Sequence, residues 1–446
     1  MMSPSLRRLF LLGLLTWSLT AIPGGAAETP ATLDLREALR LAWKANPTLK
    51  VSRLEELIAG EEVVRARSGF LPQIKAEASQ TILDDPTKMT FGSVSIPMTN
   101  RNYWSTRVSV DQTIFDFWAT PSRYQAAVLG KGATRLDTAQ TRDNIFLTVC
   151  QGYFRVLRAE KLVTVARQEV VQLKDHLKIA RDQFDFGVAT YNDVLQAEVA
   201  LADAEQRLIT ANNDVINLRS GVNKVLGLPV AAATVLKEEK ELADPAWELN
   251  QATDQALKRR SDLQASQNRI QQGEKVVTQT RAGHFPRIFA QAGHTYQEND
   301  LWVHGSQYFA IFGMQWSLFS GLDTRAQVAQ ARERLTQLKV RHQDLGEQVR
   351  LDVQTAHLGL KETADRIRVT EKAVAQGEEN LRLNEERYKE QVGTATDVID
   401  AQTLLTKTRV NYFNALYDHQ MAKAQMLWAV GGINDLLSQE KPRNAP

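Results

Sequence analysis

The chain has 446 residues, with 54 basic and 52 acidic side chains, 43% hydrophobic residues and one cysteine. That length supports a large core, the balanced charge leaves no basic face for nucleic-acid binding, and Cys150 alone makes neither an intrachain disulfide nor a cysteine-based zinc site. A mean hydropathy of −0.33, with Glu, Gln, Arg, Ala and Leu abundant, reads as amphipathic helix rather than a multi-span membrane protein.

At the N-terminus, Arg7 and Arg8 precede an apolar run from Leu9 to Leu19, and Ile22 to Ala27 then supplies Pro, Gly and small residues before Glu28. This predicts a secretory signal peptide over residues 1–27. A membrane anchor needs about 20 apolar residues, roughly twice this run. Losing the segment removes two arginines and no acid, so the formal charge falls from +2 to 0. No cysteine follows as a lipid acceptor, and no later stretch resembles a spanning helix, so any membrane insertion uses strands.

From there one pattern is stated twice, over 28–229 and 248–433, with a linker at 230–247 and a tail at 434–446. Gly69, Pro72 and Ile74 recur 214 residues later as Gly283, Pro286 and Ile288; Thr190, Asp193, Val194 and Ala197 recur 204 residues later as Thr394, Asp397, Val398 and Ala401. The ten lost residues lie between two strand-like segments, where a loop shortens cheaply.

In chain order, 35–68 has helical periodicity, with Pro47 restarting the helix after Asn46 and Gly69 and Pro72 ending it. The segments 74–82 and 103–115 alternate. Ile74, Ala76, Ala78, Ile82, Trp104, Val108, Val110 and Ile114 share one parity, and Lys75, Glu77, Arg107 and Asp111 the other. A half-buried sheet of a soluble domain alternates in the same way. A helix from about Pro121 to Phe186 follows, with Val149, Val156, Val163, Val170, Leu177 and Phe184 at every seventh position, and small residues three further on. At 1.5 Å per residue it is roughly 100 Å long. After Gly187 a returning helix carries Val194, Leu201, Leu208, Val215 and Val222. The second copy repeats the strands at 288–297 and 308–319 and the hairpin at 322–431, with Val353, Leu360, Ile367, Val374, Leu381 and Tyr388 as its stripe and Gly393 at its turn.

Two tandem units of helix, strand, strand and long hairpin, with Asn46-Pro47 near the start and Gly…Asp-Val-Leu/Ile-X-Ala at each tip, resemble the TolC-type outer-membrane efflux protein family. The resemblance covers about Leu33 to Gly432. It implies a mainly α chain with a transmembrane β-barrel portion: a homotrimer closing a twelve-stranded barrel in outer-membrane lipid, continued by a periplasmic helical tunnel that exports small molecules or proteins. The implied partners are a periplasmic adaptor (membrane fusion protein) and an inner-membrane pump; exposed heptad surface at the tips around Gly187 and Gly393 is expected to dock the adaptor's hairpin, with Val194 and Val398 in that contact. Four strands are too few to close a barrel, whereas three chains supply an even number.

By the same resemblance Asp397 and Asp400 take the positions of two carboxylate rings at the periplasmic gate, and Asp193 that of a first-tip aspartate in the closing network. Ala395 stands where TolC has an arginine linked to that aspartate, and the segment is two residues shorter. Placement at a helix start, favoured by the helix dipole, is the alternative reading of Asp193 and Asp397. Lys75, Glu77, Arg107 and Asp111 are the expected pore-lining residues.

No catalytic motif, cofactor loop or metal-ligand pattern is present. His284, His294 and His304 straddle a helix end, a strand and a loop, and Cys150 beside Val149 reads as a buried small hydrophobe. A periplasmic adaptor would carry one hairpin rather than two, and a structural coiled-coil protein would lack the alternating strands.

Overall fold

A computed structural model describes residues 32–238, 242–243, 247–300 and 302–438; the expected signal peptide, part of the linker and the end of the tail lie outside them. In the first copy β1 (Thr32–Leu33), α1 (Leu35–Ala45) and α2 (Pro47–Arg67) lead through a short 3-10 turn to β2 (Gln73–Ile82), β3 (Lys88–Phe91), β4 (Val94–Pro97) and β5 (Asn102–Phe115). Then come α3 (Ala119–Asp185), α4 (Tyr191–Leu226) and β6 (Val235–Leu236). The second copy runs α5 (Leu249–Arg259), α6 (Ser261–Arg281), β7 (Arg287–Gln297), β8 (Ser306–Gln315), α7 (Asp323–Lys389), α8 (Ala395–Ala429) and α9 (Asp435–Ser438).

Local chemistry sets the helix starts. Asp34 and Glu37 form a capping box for α1, at 2.7 and 3.0 Å. Asn46 accepts the Leu49 N–H at 3.1 Å, with Pro47 in the first turn of α2. Its counterpart Arg260 caps nothing. It turns inward, 5% exposed at the side chain, onto Asp262 at 2.6 Å and Asp352 at 2.7 Å, with its guanidinium 4.6 Å from the Trp428 ring.

The helices α3 and α7 are each 67 residues long, about 100 Å. Toward the strands α3 packs on α2 and α6; toward the hairpin turns it packs on α4 and α8. The helix α7 likewise passes from α6 to α8. Each 36- or 35-residue return helix ends where a shorter one begins, so α4 stacks on α2 and α8 on α6. At the first joint Gly227, with φ of 75°, leaves only 2.6 Å between a would-be Cβ and Ala45 O, and Asn46 Nδ2 donates to Val225 O at 2.7 Å. At the second Gly431, also at 75°, meets Arg259 at 3.2 Å.

The main core lies at this level. Leu35 and Leu39 of α1 meet Phe146, Val149, Cys150 and Tyr153 of α3, with Leu226 and Ile433, under the parallel β1–β6 pair. The Tyr153 hydroxyl donates to Lys237 O, fastening that belt to α3. Below it the seven-residue stripe is buried from Val149 to Leu177, while the second stripe is fully buried only at Val353, Leu381 and Tyr388. Among the described residues α7 lies at the edge of the chain, with no helix packed on its outer side.

The sheet is antiparallel in the order β2-β5-β7-β8, so β5–β7 joins the copies and β2 and β8 are open edges. Three details depart from the sequence expectation. The additional hairpin β3–β4 fills the longer first-copy loop. The strand β8 stops at Gln315 rather than Phe319, and Trp316 Nε1 instead donates to His284 O at 3.1 Å. A bulge after Thr113 brings Phe115, not Ile114, opposite Ile288.

Candidate functional site

Register places Ile74, Ala76 and Ala78 of β2, Trp104, Val108 and Val110 of β5, Ala290 and Ala292 of β7, and Tyr308, Ala310, Phe312 and Met314 of β8 on one face. It is bare: Tyr308 is 88% and Phe312 85% exposed. Gln80, Thr106, Gln112 and His294 share this face, which is otherwise apolar, and so large an exposed apolar surface on strands of 10–14 residues suits lipid rather than water. Among the described residues no helix is long and apolar enough to cross a membrane.

The opposite face gathers all four expected polar residues. Glu77 pairs in register with Arg107, and Lys75 Nζ lies 3.3 Å from Asp111. Gln291, which sequence reasoning missed, donates to Asp111 and accepts from Arg107 at 3.4 Å. Also missed were two cross-strand Phe–Gly pairs, Phe289 with Gly313 and Gly293 with Phe309. Each ring lies over a glycine that has no room for a Cβ, and Arg107 sits 4.9 Å from the Phe309 ring. Glycine inside a strand pattern was the available signal. His284, His294 and His304 do not come together; His294 bonds Ser306 instead.

At the other end, 190–197 and 394–401 start the return helices in the same way. Thr190 and Asp193 form a capping box, with the Thr190 N–H donating to Asp193 at 2.9 Å; Thr394 and Asp397 repeat it at 2.9 Å. The Thr394 backbone N–H and hydroxyl, helped by Arg387, hold the Asp397 carboxyl below the usual range. Asp400 is exposed one turn further along α8. The two tips meet through Thr396 Oγ1 and Gln196 Oε1 at 3.0 Å, a contact with no sequence signature.

Gly187 and Gly393 both lie in the tip turns but are not counterparts. Gly187 adopts φ of 74°, and the matching left-handed residue of the second tip is Gln391 at 60°. Gly393 instead matches Ala189, and each donates its N–H back to the last helical turn, to Arg387 O at 3.1 Å and Gln183 O at 3.2 Å. Val194 and Val398 are buried inside their hairpins, so they offer no docking surface. Accessible apolar surface lies at the turns, on Phe186, Val188, Tyr191 and Val392, and in a groove of about 670 Å³ between α4 and α8 lined by Leu195, Val199 and Ile399.

An open sheet with one lipid-facing and one polar face, continued by two hairpins about 100 Å long, is a segment of channel wall. The family model described as outer membrane efflux protein matches residues 38–245 and 252–432, and the chain belongs to that family. It is an outer-membrane export channel protein. It is 23% identical over 414 residues to the outer membrane protein TolC of Vibrio cholerae, covering 90% of this chain and 91% of that one. It is 24% identical over 438 residues to TolC of Escherichia coli, covering 93% and 85%. The solved structure of the outer membrane protein VceC from Vibrio cholerae shares the fold at a TM-score of 0.78 and 18% identity, over 89% of this chain and 96% of that one.

Proposed function

We propose that three copies of this chain, each a duplicated unit over 28–229 and 248–433, close into a homotrimer that serves as a passive export conduit, gated at the hairpin tips. The observation that carries this is the pair of unlike edges. On one side stand β2, α2 and α4; on the other, β8 and α7. Exposed Ile209 and Ile216 mark α4, and exposed Val340, Leu351, Leu358 and Val369 mark α7. An unlike-edge contact repeated by rotation closes a ring, and lipid tolerates no open strand edge. Native mass spectrometry in detergent should give a trimer, and Ile209→Asp with Ile216→Asp should give monomer. A monodisperse wild-type monomer would refute the assembly.

In that trimer Asp397 and Asp400 of each chain converge at the periplasmic mouth, and the carboxylate ring forms a site for multivalent cations. Asp193 acts by holding the first tip in shape. Cobalt hexammine should block current in planar bilayers, and Asp397→Ala with Asp400→Ala should abolish the block while trimers persist. A double variant as sensitive as wild type would remove the gate assignment. The groove at Leu195, Val199 and Ile399 receives the helical hairpin of a periplasmic adaptor, which links the channel to an inner-membrane pump. Crosslinking to the adaptor should fall in Val199→Lys; an unchanged yield would move the docking surface elsewhere.

A further inference from the structure

Near the tips α3 faces α7 and α8 across a cavity of about 210 Å³. Leu173, Leu381 and Val398 give it apolar walls. Four polar atoms that line it are buried without a partner: Gln172 Oε1, His176 Nε2, Tyr388 Oη and Gln402 Oε1. They are four of the nine such atoms among the described residues, so the deficit is concentrated here. The side chains are not surface groups caught in passing, since His176, Tyr388 and Gln402 belong to residues only 6%, 6% and 3% exposed. Native proteins normally satisfy such atoms with water or a ligand.

The unpartnered atoms define what fits. Both glutamine oxygens only accept, and Gln402 already commits Nε2 to Thr406 at 3.3 Å. Burial holds the His176 ring toward its neutral form, in which a nitrogen accepts. The Tyr388 hydroxyl serves either way, and its ring lies 5.2 Å from that of His176. At the mouth Asp175 and Glu385 outnumber Lys389, and the charge of Asp193 reaches both His176 and Tyr388. The occupant must therefore bring several N–H donors, positive charge and a small apolar body.

We propose that this cavity is a binding site for a small aromatic cation of the aryl-amidinium or aryl-ammonium class, its N–H groups on Gln172 Oε1, Gln402 Oε1 and the Tyr388 hydroxyl and its ring against Leu173 and Leu381. Such a ligand bridges α3 of the first hairpin to α7 and α8 of the second. The site is separate from the carboxylates of Asp397 and Asp400, and it stands whether or not those form a gate.

Benzamidine is the probe, titrated calorimetrically into the full-length protein in detergent at pH 8. Saturable binding at one site per chain is expected, and benzoate, of the same shape but opposite charge, should not bind. Tyr388→Phe and Gln402→Leu should each weaken benzamidine at least fivefold, and Gln402→Glu should tighten it. Tyr388→Phe keeps the ring and the packing, so its result stands even if a Gln402 variant fails to fold. Asp397→Ala with Asp400→Ala should leave the affinity unchanged. Absence of saturable benzamidine binding, equal binding of benzoate, or loss of binding in the Asp397/Asp400 variant but not in Tyr388→Phe would overturn the site and leave a water-filled gap.

Discussion

Gln391 holds the left-handed position at the second hairpin tip, φ of 60°, that Gly187 holds at the first, φ of 74°. A glutamine there brings its Cβ close to the following carbonyl, a strain that glycine avoids. The second tip is thus a strained version of the first.

Gln391→Gly should relieve that strain and slow local opening of the second tip by about fivefold, corresponding to roughly 1 kcal/mol. Gly187→Gln should speed opening of the first by a similar factor. Hydrogen exchange at the Val392 and Val188 amides, both bonded to the preceding helix end at 2.9 Å, reads the two tips separately.

Gly227 tests the joint between stacked helices. Gly227→Ala combines a left-handed backbone with a Cβ placed 2.6 Å from Ala45 O, so the joint must shift. Gly321→Ala, at φ of 63° with nothing within 4 Å, meets only the backbone strain, about 1 kcal/mol. Thermal unfolding should lower the Tm of Gly227→Ala well beyond that of Gly321→Ala; equal losses would mean that the joint yields freely.

Two groups near the tips give separate pH windows. Burial depresses the His176 pKa below the ordinary histidine value of about 6.5, so its neutral form contributes stability present above that value and lost as pH falls below it. Asp397 is likewise depressed, so its capping contribution is present above the ordinary carboxylate range and is lost at lower pH still. Exchange at the tip amides should therefore rise in two steps on acidification. The upper step should vanish in His176→Leu and the lower in Asp397→Asn.

Arg260 holds two carboxylates in a pocket where its own side chain is 5% exposed. Arg260→Ala leaves Asp262 and Asp352 without their cation and should cost on the order of 3 kcal/mol. Chemical unfolding would show it. The equivalent change at Asn46 removes one cap and one bond to Val225, a loss of about 1 kcal/mol.

The duplication, the strand faces and the seven-residue stripes were legible because each repeats a local period many times: Lys75, Glu77, Arg107 and Asp111 had to share a face once their parity was known. Gln391 was not legible, because the residue type that ordinarily takes a left-handed turn position stands two residues later, at Gly393. The capping roles of Asp193 and Asp397 were present only as one of two readings. The cavity at His176 and Tyr388 joins residues about two hundred positions apart, and no periodicity reports a missing hydrogen-bond partner.

Around the wall, unbroken rods alternate with jointed ones. The helices α3 and α7 carry one backbone hydrogen-bond ladder over their whole 67 residues, whereas the α4–α2 and α8–α6 columns are interrupted at Gly227 and Gly431. Torsion applied at the tips therefore has a continuous backbone path to the sheet along α3 and α7, whereas in the columns beside them it must cross the packing contacts and the Asn46–Val225 hydrogen bond of the joints.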